Sequence, residues 1–168
     1  GLFYKNEKSN KIVNRFHSRI IFPINNLTND PIAFGGRIIS GDKIAKYINS
    51  PETEFYKKGK ILFNLDRARN FRVKSDEVIV VEGYMDVLSL YENNIKNVIA
   101  NSGTAFTENQ VELVWRFFSN PIISLDGDVS GQKASLRIAE NIFPYISENK
   151  NIYFASLPVS TDPDDFIK

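Results

Sequence analysis

The nine residues from Val78 to Asp86, Val-Ile-Val-Val-Glu-Gly-Tyr-Met-Asp, constrain the fold more than any other stretch of the chain. Four consecutive β-branched residues suit a strand buried on both faces, the environment of a parallel sheet covered by helices. The run stops at Glu82-Gly83, where the glycine permits a sharp turn. Tyr84, Val87, Leu88 and Tyr91 then recur at i, i+3, i+4 and i+7, the apolar stripe of a helix. Glu82 therefore stands at a strand's carboxyl end and Asp86 in the first turn of the following helix. In open α/β sheets, ligands bind outside that end of the strands.

Two further segments make the same delivery. Pro121-Ile122-Ile123-Ser124-Leu125 runs into Asp126-Gly127-Asp128, and Val129 to Ala134 opens a helix. Ile152 to Leu157 reads as a third strand, followed by a loop and Asp162-Pro163-Asp164-Asp165. Taken singly, each acid suits a helix cap or a turn. Six or seven on one rim repel one another, so the set must hold protons or cations. As hard oxygen donors they suit Mg²⁺ or Mn²⁺, with phosphates completing the shell.

Composition narrows the classes. With 168 residues, 42% hydrophobic and 24% charged, the chain fits one large domain or two small ones. The absence of cysteine excludes disulfides and Cys-ligated zinc or iron–sulfur sites from this chain, and fits a reducing compartment. The single histidine, His17, is expected to be exposed and not a catalytic base. No run of eighteen apolar residues occurs, and the N-terminus lacks the apolar core of a signal peptide. A cytoplasmic protein without membrane association is expected. The chain does not begin with Met, so it reads as a piece of a longer one.

Charge is segregated. Residues 1–75 hold 15 Lys and Arg against 6 Asp and Glu, net +9; residues 76–168 hold 6 against 14, net −8. This division suggests a polyanion held by the first part and metal ions by the second.

Along the chain, residues 1–18 carry no clear period and read as a frayed remnant. Arg19–Ile24 and Pro31–Ile39 read as a hairpin across the turn residues Asn25 to Asp30. Gly35-Gly36 marks either a bulge or a surface approached closely by another group, and Arg37 beside it suits bidentate phosphate contact. Cations and aromatics interleave from Lys46 to Lys60, as in a nucleic-acid groove, before an expected strand Ile61–Leu65. The boundary is placed near Lys74-Ser75. Strand and helix then alternate. A strand at Asn97–Ala100 leads to a turn at Asn101-Ser102-Gly103-Thr104, and Thr107 to Gln110 matches a capping box. The following helix is expected to bury Val111, Val114, Trp115 and Phe118. The helix after Gly131 is expected to bury Ile138, Ala139, Ile142, Phe143 and Ile146, and Pro144 to kink or end it.

Glu82-Gly83-Tyr84-Met85-Asp86, Asp126-Gly127-Asp128 with Gly131 to Ala134, and Asp162-Pro163-Asp164 together resemble the Toprim domain. More narrowly they resemble the catalytic core of bacterial DnaG-type replicative primases. The three motifs occur in order at roughly 35–45 residue spacing on a fold of repeated strand–helix units. Phe22-Pro23-Ile24, Phe34 to Arg37, Lys46 to Thr53 and Lys57-Lys58-Gly59 resemble the basic subdomain that precedes Toprim in that family. Leu125 departs from the pattern, since an aromatic more often precedes the Asp-Gly-Asp; altered packing is the expected consequence.

The resemblance implies an α/β fold, with a Toprim-type parallel sheet flanked by helices over 76–168. A smaller, basic, β-rich α+β subdomain over 1–75, partial in this chain, precedes it. It implies RNA primer synthesis from NTPs on a single-stranded DNA template at the replisome, with two or more Mg²⁺ or Mn²⁺ ions. On this reading Asp126, Asp128 and Asp164 are direct ligands, and Asp86 and Asp162 are ligands or hold them. Glu82 is a ligand or the proton acceptor for the attacking hydroxyl. Arg37, Lys46, Asn49 and Lys58 line the route for nucleotide and template. Lys133 pairs with a carboxylate or touches phosphate, the former preferred. Zinc is expected only in a domain absent from this chain, and contact with the replicative helicase only through another absent region; a monomer is expected. A Toprim topoisomerase or nuclease, or a nucleic-acid-binding scaffold without turnover, are the rival readings.

Overall fold

The computed structural model describes residues 1–40, 45–101, 103 and 105–168. The expected turn residues Ser102 and Thr104 lie outside them. The chain divides into two units, Gly1–Lys57 and Lys58–Lys168.

Antiparallel pairing builds the first unit. β1 (Phe3–Lys5) and β2 (Ile12–Asn14) form a two-stranded ribbon, so the opening residues are a hairpin and not a frayed end. The turn is made by side chains that periodicity does not register: Asn6 Oδ1 accepts from the Lys8 and Ser9 N–H groups, and Asn10 sits at φ 54°. β3 (Arg19–Asn25), β4 (Pro31–Ile38) and β5 (Tyr47–Asn49) form a sheet in the order β3-β4-β5. The expected turn is present, with Asn26 Oδ1 accepting from Thr28 and Asp30 N–H.

The β3–β4 ladder runs straight through Gly35 and Gly36, opposite Phe22 and Ile21; the register shifts instead at Ile24/Asn25. The glycine pair is thus a site of close approach and not a bulge, for a Cβ on Gly36 would lie 2.6 Å from the Phe16 ring. Phe16, Phe22, Ile24 and Ala33 are buried there.

The second unit opens with a 3₁₀ turn, Lys58–Lys60. The expected strand at Ile61–Leu65 does not form. Asn64 adopts the left-handed conformation at φ 67° and sends the chain into α1 (Leu65–Ala68). Asparagine tolerates that region where most residues do not. What remains of strand pairing is the two-way backbone bond between Phe63 and Ala100, at 2.9 and 3.1 Å. Asn64 Nδ2 also donates to Val98 O. These bonds join the segment after Lys58 to the second unit, so the packing division precedes the change of sequence pattern near Ser75.

From there strand and helix alternate as expected: β6 (Glu77–Val81), α2 (Tyr84–Glu92), β7 (Val98–Ala100), α3 (Glu108–Trp115), β8 (Asn120–Ile123), α4 (Val129–Ile142), β9 (Tyr153–Phe154) and α5 (Pro163–Phe166). The sheet is parallel throughout, in the order β7-β6-β8-β9. The valine-rich β6 takes an interior position, where both faces are covered. Val81, Val87, Leu90, Val98 and Ala100 form one core cluster, joined by Phe63, Ile79 and Ile95. Each fully buried valine or leucine there contributes about 1.5–3 kcal/mol of apolar burial. This is the anticipated α/β architecture, a parallel sheet flanked by helices, with a smaller antiparallel part before it in the chain.

Several expected core positions are not core. Leu88 is 42% exposed, and Leu90 takes its place. Trp115 is only partly covered and donates Nε1–H to Asn151 O at 2.8 Å, since an indole N–H needs an acceptor. Phe143 and Ile146 are 76% and 42% exposed. Pro144 ends α4 in a 3₁₀ turn over Phe143–Tyr145, and Ile146 follows in extended backbone, out of the helical phase.

Two glycines fix the strand ends against their neighbours. A Cβ on Gly131 would lie 2.0 Å from Asp126 O, and one on Gly127 2.0 Å from Pro158 O. Gly131→Ala should therefore destabilise the fold by about 2 kcal/mol or more. Thermal unfolding should show a fall of about 4–8 °C, with exposed Val129→Ala nearly unchanged as the control. An unchanged midpoint for Gly131→Ala would contradict this packing.

Candidate metal and nucleotide site

The carboxyl ends of β6 and β8 and the loop after β9 converge, as the sequence implies. Glu82 leaves β6, Asp86 lies in the first turn of α2, Asp126 and Asp128 follow β8, and Asp162 precedes α5. Backbone donors pin three of these acids. Asp86 Oδ2 accepts from Gly83 N–H at 2.9 Å, Asp128 Oδ1 from Gly131 N–H at 2.7 Å, and Asp162 Oδ1 from Asp165 N–H at 2.7 Å. Asp128 and Asp162 are the N-caps of α4 and α5. The capping role and membership of the cluster coexist, because a carboxylate has a second oxygen. Gly127 N–H donates to Thr161 O at 2.9 Å, tying the second strand-end loop to the third.

The acids repel one another. Burial, then the charges of Asp162 and Asp128, push the Asp126 carboxyl up. Glu82 is raised by burial, with Asp126 and Asp128 adding to it while the Asp126 backbone N–H pulls the other way. Asp86 is pushed up to about 6, chiefly by burial; its bond from Gly83 opposes the rise, and Asp126, Asp162 and Glu82 reinforce it. Five of the six expected acids thus form one interacting set.

The sixth, Asp164, is held differently. It accepts from Ser89 Oγ and from Lys168 Nζ, the latter at 2.8 Å. Oxygens of Asp162, Asp164 and Asp165 lie within 4.8 Å of one another, a spacing that one cation can bridge. Ser89 was not anticipated as part of the site. It follows Asp86 at i+3 on α2 and so shares its face. A set made only of carboxylates, with the proton affinity of Glu82, Asp86 and Asp126 raised, fits a hard divalent ion.

Among the cations, Arg37 and Lys46 meet over one ring. The Arg37 guanidinium lies 6.0 Å and Lys46 Nζ 5.9 Å from the centre of Tyr47. Asn49 pairs with Gly35 in the same β4–β5 ladder. Lys58 belongs to the second unit, in the 3₁₀ turn whose carbonyls are held by α3. Of the interleaved aromatics, Phe55 is exposed, whereas Tyr56 is buried and serves packing. Lys133 is exposed, and among the described residues it forms no ion pair, contrary to the preferred reading. His17 is exposed as expected, with Nδ1 against Ser18 Oγ.

Comparison with known proteins gives these features a family. Residues 1–69 match the DNA primase catalytic core, N-terminal domain, and residues 76–155 match the Toprim domain. The chain belongs to the DnaG-type primase catalytic-core family. The DNA primase of Pseudomonas aeruginosa is 39% identical over 168 residues, covering 100% of this chain and 25% of its own length. A crystal structure of a DNA primase domain from that organism superposes with a TM-score of 0.93 at 40% identity, covering 99% of this chain and 52% of that one. A DnaG primase catalytic domain bound to single-stranded DNA gives 0.90 at 34% identity, covering 99% and 53%. The chain thus spans about a quarter of the length of the curated relatives it matches. The first match ends at residue 69 and the second begins at residue 76, whereas the packing division lies at Lys57.

The raised acids predict an inverted pH response. The folded chain holds the Asp86 proton more tightly than the unfolded chain, whose value is 3.8. Its stabilising contribution is therefore full below about pH 4 and fades as the pH rises through about 6. Without divalent ions the thermal midpoint should fall from pH 5 to pH 7.5, and Asp86→Asn should flatten that fall. Millimolar Mn²⁺ should restore several degrees at pH 7.5 and less at pH 5. A metal-free midpoint that rises across this range would contradict the assignment.

Proposed function

We propose that this chain carries the catalytic acids of a primase, an enzyme that joins ribonucleotides into a short RNA on a single-stranded DNA template. The observation that carries the reading is the convergence of Glu82, Asp86, Asp126, Asp128 and Asp162 at three successive strand ends. The proton affinities of Glu82, Asp86 and Asp126 are raised, first by burial and then by neighbouring acids, and the chain matches the N-terminal domain of the primase catalytic core and the Toprim domain.

Asp126, Asp128 and Asp164 would hold the divalent ions, and Asp86 and Asp162 would complete or orient that set. When bound, such ions lower the pKa of the attacking 3′-hydroxyl and stabilise charge on the triphosphate. Glu82, raised by burial and by Asp126, is suited to accept the hydroxyl proton. Ser89 fixes the Asp164 carboxylate from α2. Arg37, Lys46 and Asn49 bind the template strand, where the Tyr47 ring offers a face for stacking. Lys58 meets nucleotide phosphate. Residues 1–75 form the basic subdomain of this core and residues 76–168 its Toprim domain. The replicative helicase, zinc and nucleoid location belong to this proposal only through the longer relatives, and the chain is taken as a monomer.

Ribonucleotide incorporation on single-stranded DNA with Mg²⁺ or Mn²⁺ tests the reading. Asp126→Asn and Glu82→Gln should each lower the rate by about a hundredfold or more. Arg37→Ala and Lys46→Ala should instead weaken DNA binding and reduce its log–log salt slope by about 0.7 for each phosphate no longer neutralised. Full incorporation by Asp126→Asn, or unchanged salt slopes, would overturn the corresponding assignment.

A further inference from the structure

The turn that carries Lys58 is held by two side chains of a helix cap. Thr107 Oγ1 donates to Gly59 O at 2.6 Å, and Gln110 Nε2 donates to Lys58 O at 3.0 Å and to Ile61 O at 2.9 Å. The same two residues close the capping box of α3. Thr107 N–H donates to Gln110 Oε1 at 3.0 Å, and Gln110 N–H to Thr107 Oγ1 at 3.2 Å. Gln110 has no solvent exposure at all. Its amide is fully engaged, both donors on the Lys58 turn and the acceptor on the cap.

A helix cap alone needs only the reciprocal pair of bonds inside the box. A buried glutamine with both donors spent on carbonyls some fifty residues earlier in the chain does something further. Lys58, Gly59 and Ile61 lie outside any α-helix or strand, so their carbonyls need partners from elsewhere. Those partners set where the turn sits. The methyl of Thr107 also lies at ordinary contact distance from the position a Cβ on Gly59 would occupy, 3.4 Å. Downstream, the Phe63–Ala100 backbone pair and the Asn64–Val98 bond fix the other end of the segment to β7.

We propose that Thr107 and Gln110 are positioning residues, which hold the Lys58 turn in the shape that a nucleotide's phosphates require. This rests on the reading of Lys58 as a phosphate contact. Neither residue touches the ligand; each acts through the backbone on either side of Lys58. Loosening the turn lets the flexible Lys58 stem sample more positions, so more conformational freedom must be lost each time its ammonium meets a phosphate.

The test is a double-substitution cycle on the intact chain, with ATP and Mn²⁺ as the probe and equilibrium dialysis as the readout. Lys58→Ala and Thr107→Val should each weaken ATP binding by about tenfold, and Thr107→Ser, which keeps the hydroxyl, should bind as wild type. In the Lys58→Ala background, Thr107→Val should weaken binding no further. Gln110→Met, which removes the donors to Lys58 and Ile61 at similar volume, gives the same cycle if Thr107→Val does not fold. Effects that add in full, or wild-type binding by a folded Thr107→Val, would overturn the positioning role and leave Lys58 as a phosphate contact. Wild-type binding by Lys58→Ala would overturn that contact as well.

Discussion

Mutual repulsion among carboxylates at the strand ends of the parallel sheet is the constraint on which the second unit depends. Burying Glu82, Asp86 and Asp126 beside Asp128 and Asp162 costs free energy at neutral pH, and the raised proton affinities of the first three express that cost, burial first and repulsion adding to it. The fold offsets it locally. Gly83, Gly131 and Asp165 each present a backbone N–H to one acid. Two of the helices that begin there, α2 and α4, turn the positive ends of their dipoles toward the cluster. Charge is thereby held in a small volume, with one oxygen of each pinned acid fixed by the backbone.

Close packing of backbone against backbone keeps that arrangement in place. Gly131 lies directly on the Asp126 carbonyl and Gly127 on that of Pro158, so the second and third strand-end loops are locked without an intervening side chain. The glycines of the Asp-Gly-Asp and Gly-Gln-Lys-Ala segments thus have a steric reason for being glycine. Site and core share this constraint, because the residue after β8 that carries charge is also the one on which α4 rests. The first unit follows a different logic, in which Arg37 and Lys46 both approach the ring of Tyr47 beside the β4–β5 ladder.

Much of this was legible in the sequence, for physical reasons that can be named. A run of β-branched residues has few stable environments, so Val78 to Val81 identified an interior parallel strand. Acids directly after strands identified the rim, and Thr107 with Gln110 identified a helix start. The failures arise where long-range or single-residue geometry overrides period. Asn64 turns left-handed and stops a strand that its neighbours favour. Pro144 ends α4 and leaves Ile146 extended and exposed. Trp115 obeys the helical stripe, yet its N–H seeks Asn151 and keeps the ring at the edge. Ser89 could have been found from its i+3 relation to Asp86, but its partner Asp164 lies at the far end of the chain. The second role of Gln110 left no local trace, because its donors go to carbonyls that any sequence would supply.

The central claim is that the carboxylate rim binds nucleotide through divalent ions. Isothermal titration of GTP into the chain, with and without Mn²⁺, tests it most directly when wild type is compared with the Asp126→Ala/Asp128→Ala double variant. Mn²⁺-dependent binding by wild type, abolished in the folded double variant, is the expected result. Binding that ignores Mn²⁺, or that survives in the double variant, would contradict the claim.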